Sequence, residues 1–121
     1  MKIVLYHNPR CSKSRQARAL LEDAGADLEI VGYLEAPPSV AELSGILDRL
    51  GVEPRDLLRT GEKEYRELGL ADPALGREAL LAAMVRHPRL IQRPIAVRGE
   101  RAVVGRPPEA VLELLGETDG D

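Results

Sequence analysis

The chain's 121 residues, 44% hydrophobic and 31% charged with a formal net charge of -3, have the size and composition of one soluble globular domain, which excludes disordered and membrane classes. Three Tyr with no Phe and no Trp leave a core of Leu, Val, Ile and Ala and exclude stacking platforms for single-stranded nucleic acid; the single cysteine, Cys11, excludes an intramolecular disulfide and, with only two His, a zinc site, so no metal is expected. No apolar run approaches the roughly 20 residues a spanning helix needs, and the amino terminus lacks a signal-peptide pattern, so a cytoplasmic location is expected, with no membrane or nucleic-acid partner.

In chain order, residues 2–6 (KIVLY) read as a buried strand, broken by His7-Asn8-Pro9. Ala17, Leu20, Leu21 and Ala24 recur at helical spacing over residues 12–24, with Gly25 as the stop. Residues 28–33 (LEIVGY) form a second strand, and strand, helix and strand in this order make a right-handed βαβ unit with parallel strands. Ser39 with Glu42 three residues later is a capping box for a helix to about Leu50, closed by Gly51, and Pro54 starts a short helical turn toward Arg59. Residues 60–86 look helical, with interruptions at Gly61, Gly69, Pro73 and Gly76 and no strand candidate. Residues 95–98 and 102–104 flank Gly99-Glu100 as an antiparallel hairpin, and Pro107-Pro108 begins a last helix with Val111, Leu112, Leu114 and Leu115 facing inward. The expected architecture is α/β: βαβ, a helical insertion, then ββα, in one domain over residues 1–116 followed by an acidic, disordered tail at 117–121.

The net charge conceals segregation along the chain. Up to Arg18 every ionised side chain is basic (Lys2, Arg10, Lys13, Arg15, Arg18), and residues 86–106 carry six Arg against Glu100 alone. If the two segments meet they make a local anion site on an acidic protein; if they do not, they are solvated basic surface. Cys11 lies between the first strand and first helix, where unpaired backbone N–H groups favour thiolate over thiol. Arg10, Lys13 and Arg15 push the same way, with His7 nearby. The alternative for a lone Cys is an inert buried residue; helix-start placement and basic surroundings favour a reactive thiol.

Spacing excludes two chemistries. A phosphatase loop needs Arg where Ala17 stands, and a C-x-x-C dithiol needs Cys where Ser14 stands, so any resolving thiol must come from another molecule. The Ser14 hydroxyl is either a donor to the Cys11 sulfur or an ordinary first-turn residue. Gln92-Arg93-Pro94 precedes the third strand, which in this fold lies beside the start of the first helix, so Arg93 points near Cys11 and Pro94 is a candidate cis residue. Arg106, before Pro107, can reach the same place, and Arg59 enters a Thr-Gly break able to fold over it. Each Arg taken alone reads more often as a surface residue than as a ligand.

The stretch from His7 to Arg15 (HNPRCSKSR) resembles the glutaredoxin-coupled arsenate reductases of the thioredoxin-like superfamily. The likeness continues through YLEAPP (33–38), LLRTGE (57–62), YRELGL (65–70), His87-Pro88, IQRPI (91–95) and RPPE (106–109), nearly the whole chain. The resemblance implies a four-stranded mixed sheet with a helical insertion, Cys11 as the nucleophile toward arsenate, and Arg59, Arg93 and Arg106 as oxyanion-binding arginines. It further implies Pro94 as a cis-proline, and His7, Ser14 and Arg15 as support for the thiolate. Glutathione would be the co-substrate, with no tightly bound cofactor, and glutaredoxin the partner that reduces the resulting mixed disulfide. Ser12-Lys13 departs from the Gly-Thr that some members carry there. Two other functions fit the same family: a glutathione-linked reductase acting on another substrate, and a redox-sensing regulator that binds RNA polymerase. Regulators of that kind use a C-x-x-C switch, which Ser14 removes.

Overall fold

The computed structural model describes residues 2–115; the expected tail at 117–121 lies outside them. Two compact units emerge, one from the described residues of Met1–Ala36 and Arg93–Asp121, the other from Pro37–Gln92.

The first unit holds a four-stranded sheet in the order β2-β1-β3-β4, with β1 at Ile3–His7, β2 at Leu28–Gly32, β3 at Ile95–Arg98 and β4 at Arg101–Val104. Strand β1 runs parallel to β2 (Ile3 opposite Leu28, His7 opposite Gly32) and antiparallel to β3 (Val4 opposite Val97). Along β1 burial alternates, so Ile3, Leu5 and His7 face inward; this period of two carries the first strand's last inward residue, His7, to the site. The hairpin turns at Gly99-Glu100 as the sequence indicates, and β4 begins one residue earlier than expected, with Arg101 opposite Arg98. This is the mixed, thioredoxin-like α/β arrangement expected from the sequence.

Helix α1, Ser12–Asp23, buries Ser14, Ala17 and Leu21. Its end is set by Gly25, whose φ of 77° lets its N–H reach Glu22 O at 3.0 Å while Ala26 N–H reaches Leu21 O at 3.1 Å, a closing pair that needs a left-handed residue. Ile3, Leu5, Ala17, Leu21, Ala96, Val111 and Leu114 form the core of this unit. This cluster is aliphatic, with Tyr33 a fully buried aromatic elsewhere in the same unit, and each buried Leu or Ile contributes about 1.5–3 kcal/mol relative to exposure. The last element differs from expectation: Pro108–Leu114 is a 3-10 segment, not an α-helix. Three-residue repetition puts Val111 and Leu114 on one buried edge and leaves Leu112 and Leu115 half-buried.

The second unit is helical: α2 at Val40–Leu50, α3 at Pro54–Leu57, α4 at Lys63–Glu67, α5 at Arg77–Arg86 and a 3-10 turn at Pro88–Leu90. Ser39 Oγ accepts from Glu42 N–H and Glu42 Oε1 accepts from Ser39 N–H, the reciprocal box read from the sequence. Helix α5 packs on α2 and α3, with Leu43, Leu47, Leu81, Met84 and Leu90 fully buried.

Candidate functional site

The site is built from the turn that joins β1 to α1. Cys11 N–H donates to Asn8 O at 3.0 Å, and Arg10 N–H to Asn8 Oδ1 at 2.9 Å, so one asparagine folds the turn with both its backbone and its side chain. Arg15 Nη1 braces the turn from outside by donating to Pro9 O at 2.8 Å. Cys11 becomes the N-cap of α1 with extended backbone angles; it makes no side-chain cap bond, and the first turn carries no acidic residue. Its thiol therefore faces N–H groups that nothing else from the first turn has claimed.

Burial of Cys11 raises its pKa, but that penalty is overcome by the backbone N–H of Ser14, a hydrogen bond from the Arg93 side chain, the backbone N–H of Lys13 and the Arg93 charge. The net result lies below the ordinary cysteine value. Arg106 Nη2 stands 3.9 Å from Sγ, the long end of a hydrogen bond to sulfur, and Arg106 Nε donates to Arg93 O at 2.9 Å. Arg93 thus lowers the thiol, while Arg106, more exposed, is tied to Arg93 and holds its remaining guanidinium edge beside the sulfur.

Ser14 acts through a different atom from the one its sequence position suggests. Its hydroxyl is fully buried, lies 2.7 Å from His7 Nδ1 and accepts from Asn8 N–H at 3.0 Å. The backbone N–H of Ser14, not the hydroxyl, is the group that lowers the Cys11 thiol; the hydroxyl is already engaged with two partners. Burial, then the charge of Arg18, and to a lesser extent that of Arg15, lower the His7 pKa against an opposing pull from Glu22. His7 is therefore neutral at pH 7, and Nδ1 can accept the Ser14 proton.

The two basic segments meet only in part. Arg93 and Arg106 come to Cys11, but Arg98 and Arg101 donate to the Leu114 and Glu113 carbonyls, and Arg18 pairs with Glu22 at 3.0 Å. The side chains of Arg10 and Lys13 are exposed; of these two residues it is the Lys13 backbone that touches the thiol's chemistry. Arg59 belongs to the second unit, just after α3, where its Nε is 3.3 Å from Glu62 Oε2 and its Nη1 donates to Gln92 Oε1 at 3.4 Å.

The Arg93–Pro94 peptide bond is cis, and so is Arg106–Pro107, which the sequence reading did not single out. Two further residues were not anticipated. Asn8 folds the cysteine turn, and the Asn-Pro break was its only signal. Gly105 donates to Pro94 O at 2.8 Å, and a Cβ there would lie 2.7 Å from Pro94 Cγ and 3.1 Å from Val111 Cγ1. Only glycine lets the residue before Arg106 lie against the residue after Arg93. Among the described residues no cluster of His, Cys, Asp or Glu could hold a metal ion, and no helix is long and apolar enough to cross a membrane.

Known proteins are similar to this chain in sequence and in fold. The model of the ArsC family matches residues 6–114. The uncharacterized protein YfgD of Escherichia coli (strain K12) is 49% identical over 116 residues, covering 95% of this chain and 98% of that protein. An arsenate reductase of Neisseria meningitidis serogroup A is 45% identical over 115 residues, covering 94% of this chain and 98% of its own. The solved structure of an arsenate reductase from Vibrio cholerae superposes with a TM-score of 0.90 at 51% identity, covering 93% of this chain and 97% of that one.

Proposed function

This chain belongs to the ArsC family, and on that premise we propose that it reduces arsenate to arsenite in the cytoplasm, with Cys11 as the nucleophile and glutathione and glutaredoxin as the resolving thiols. The observation that carries the reading is the surroundings of the Cys11 sulfur: two backbone N–H groups at the start of α1, the Arg93 side chain, and Arg106 Nη2 at 3.9 Å. These groups stabilise a thiolate and supply donors to an oxyanion bonded to it.

Arsenate at neutral pH carries between one and two negative charges, and planar guanidinium groups bind such oxygens in pairs. The Cys11 thiolate attacks arsenic; a sulfur–arsenic bond forms, and one arsenic–oxygen bond breaks, its oxygen leaving as water after taking a proton. Arg93 and Arg106 offset the charge on the remaining oxygens, with Arg59 as the third oxyanion-binding arginine. A glutathione thiolate then attacks the Cys11 sulfur. A disulfide forms, the electron pair of the sulfur–arsenic bond stays with arsenic, and arsenite departs. Two thiols are oxidised and arsenic gains two electrons. With one cysteine in the chain, the second thiol has to be external, and glutaredoxin then reduces the Cys11–glutathione disulfide by exchange.

The supporting residues act mechanically. His7 and Ser14 anchor Asn8, and Arg15 braces Pro9, so the turn presents Cys11 to its donors in one geometry. The test is arsenate-dependent oxidation of a reduced nicotinamide cofactor in an assay coupled through glutathione and glutaredoxin. Wild type turns over and Cys11→Ser does not. Equal rates for the two proteins, or no arsenate-dependent rate with wild type, would end this reading.

A further inference from the structure

One carboxylate in the second unit is shared by two arginines. Glu62 places Oε2 3.3 Å from Arg59 Nε and Oε1 3.1 Å from Arg89 Nη2, so each oxygen serves a different guanidinium. Arg89 Nη1 lies 4.0 Å from Glu64 Oε2, which continues the alternation of charge. The Glu62 side chain is only 14% exposed and that of Arg59 25%, so this contact is better shielded from solvent than an ordinary surface pair.

The backbone beneath is equally fixed. Arg59 N–H donates to Leu90 O at 2.7 Å, Gln92 N–H donates to Leu57 O at 2.8 Å, and Leu58 and Ile91 form an antiparallel bridge. Leu57, Leu58, Leu90 and Ile91 are all buried around it. Arg59 therefore has an anchored main chain, an Nε in ion-pair contact with Glu62 at 3.3 Å though without a hydrogen bond, and an Nη1 that donates to Gln92. The rest of its guanidinium fork is left in a defined orientation, which a four-torsion side chain does not keep unaided.

We propose that Glu62 is a positioning residue for Arg59 in oxyanion binding, and that Arg89 in turn orients Glu62. The inference rests on the reading that Arg59 is one of the oxyanion-binding arginines. Glu62 also offsets one positive charge, so losing it has two opposed effects: more local positive charge and a less ordered fork. Orientation outweighs charge here, because the Glu62 carboxylate meets the Arg59 guanidinium at its Nε, and because Arg89 and Glu64 already balance one another nearby.

The experiment measures the arsenate concentration that half-protects Cys11 from iodoacetamide, for wild type, Arg59→Ala, Glu62→Gln and the double variant. Glu62→Gln keeps the size but presents only one acceptor oxygen to two guanidinium groups. It is expected to raise the half-protecting concentration about threefold to tenfold, with the unprotected alkylation rate unchanged. In the Arg59→Ala background the same substitution is expected to add little, since a positioning residue has nothing left to position; a purely structural residue would keep its effect there. If Glu62→Gln leaves protection unchanged or tightens it while Arg59→Ala weakens it, the positioning role is overturned and the oxyanion role of Arg59 stands. If Arg59→Ala has no effect, both fall.

Discussion

The starts of α1 and α2 face the same physical problem, four backbone N–H groups without helical partners, and meet it in opposite ways. At α2, Ser39 and Glu42 close the end on itself, each side chain taking the other's backbone N–H. At α1 the cap residue is Cys11, which makes no side-chain cap bond, the first turn has no acid, and the N–H groups of Lys13 and Ser14 lower the thiol's pKa. One end uses its donors for stability. The other leaves them for a thiolate, and adds Arg93 and Arg106 where α2 has a carboxylate. The lowered thiol pKa at α1 thus follows from the omission of ordinary capping as well as from Arg93.

The largest break in that contrast comes from removing the arginines. Arg93→Ala and Arg106→Ala should each lower arsenate turnover by about 10²-fold, the scale seen when a donor to a developing oxyanion is lost. Their effects on the thiol should separate: Arg93→Ala raises the midpoint of Cys11 alkylation toward the ordinary value, and Arg106→Ala moves it far less, since Arg93 is the arginine that lowers the thiol. Equal shifts in the two variants would contradict this division. A smaller effect is expected at Gly105, where a Cβ has no room against Pro94 and Val111. Gly105→Ala should lower unfolding stability by about 1–3 kcal/mol and weaken arsenate protection of Cys11, measured by chemical denaturation and by alkylation. The smallest sharpens the contrast from the other side: Ser39→Ala should cost about 1 kcal/mol of stability while leaving the Cys11 alkylation profile where it is.

Much of this architecture was legible in the residues. Period-two burial marks β1, the Ser39–Glu42 spacing marks α2, and the order of elements was enough to place residue 93 beside the start of α1. Other features depend on information that spacing does not carry. Val111, Leu114 and Leu115 fit an α-helix and a 3-10 segment alike, and choosing between them takes the hydrogen bonds themselves. The Ser14 side chain was visible as a polar group next to Cys11, but its hydroxyl turns to His7 and Asn8 and leaves the backbone N–H for the sulfur. A run of arginines similarly says nothing of their partners: Arg98 and Arg101 end on carbonyls, Arg89 on Glu62, and only Arg93 and Arg106 of that basic segment are seen at the thiol. Gly105 is a matter of 2.7 Å between non-neighbouring residues, which no local pattern encodes.

The most direct measurement is the rate of Cys11 alkylation by iodoacetamide as a function of pH, with the wild-type chain. Because the folded site lowers the thiol's pKa, the thiolate should persist as pH falls below the unfolded cysteine value and be lost only as pH falls through the lower folded value. The account predicts a midpoint below that of the same chain in denaturant. A folded midpoint equal to the denatured one, or above it, would mean that burial outweighs the helix start and Arg93, and would contradict the claim that Cys11 is held as a nucleophile.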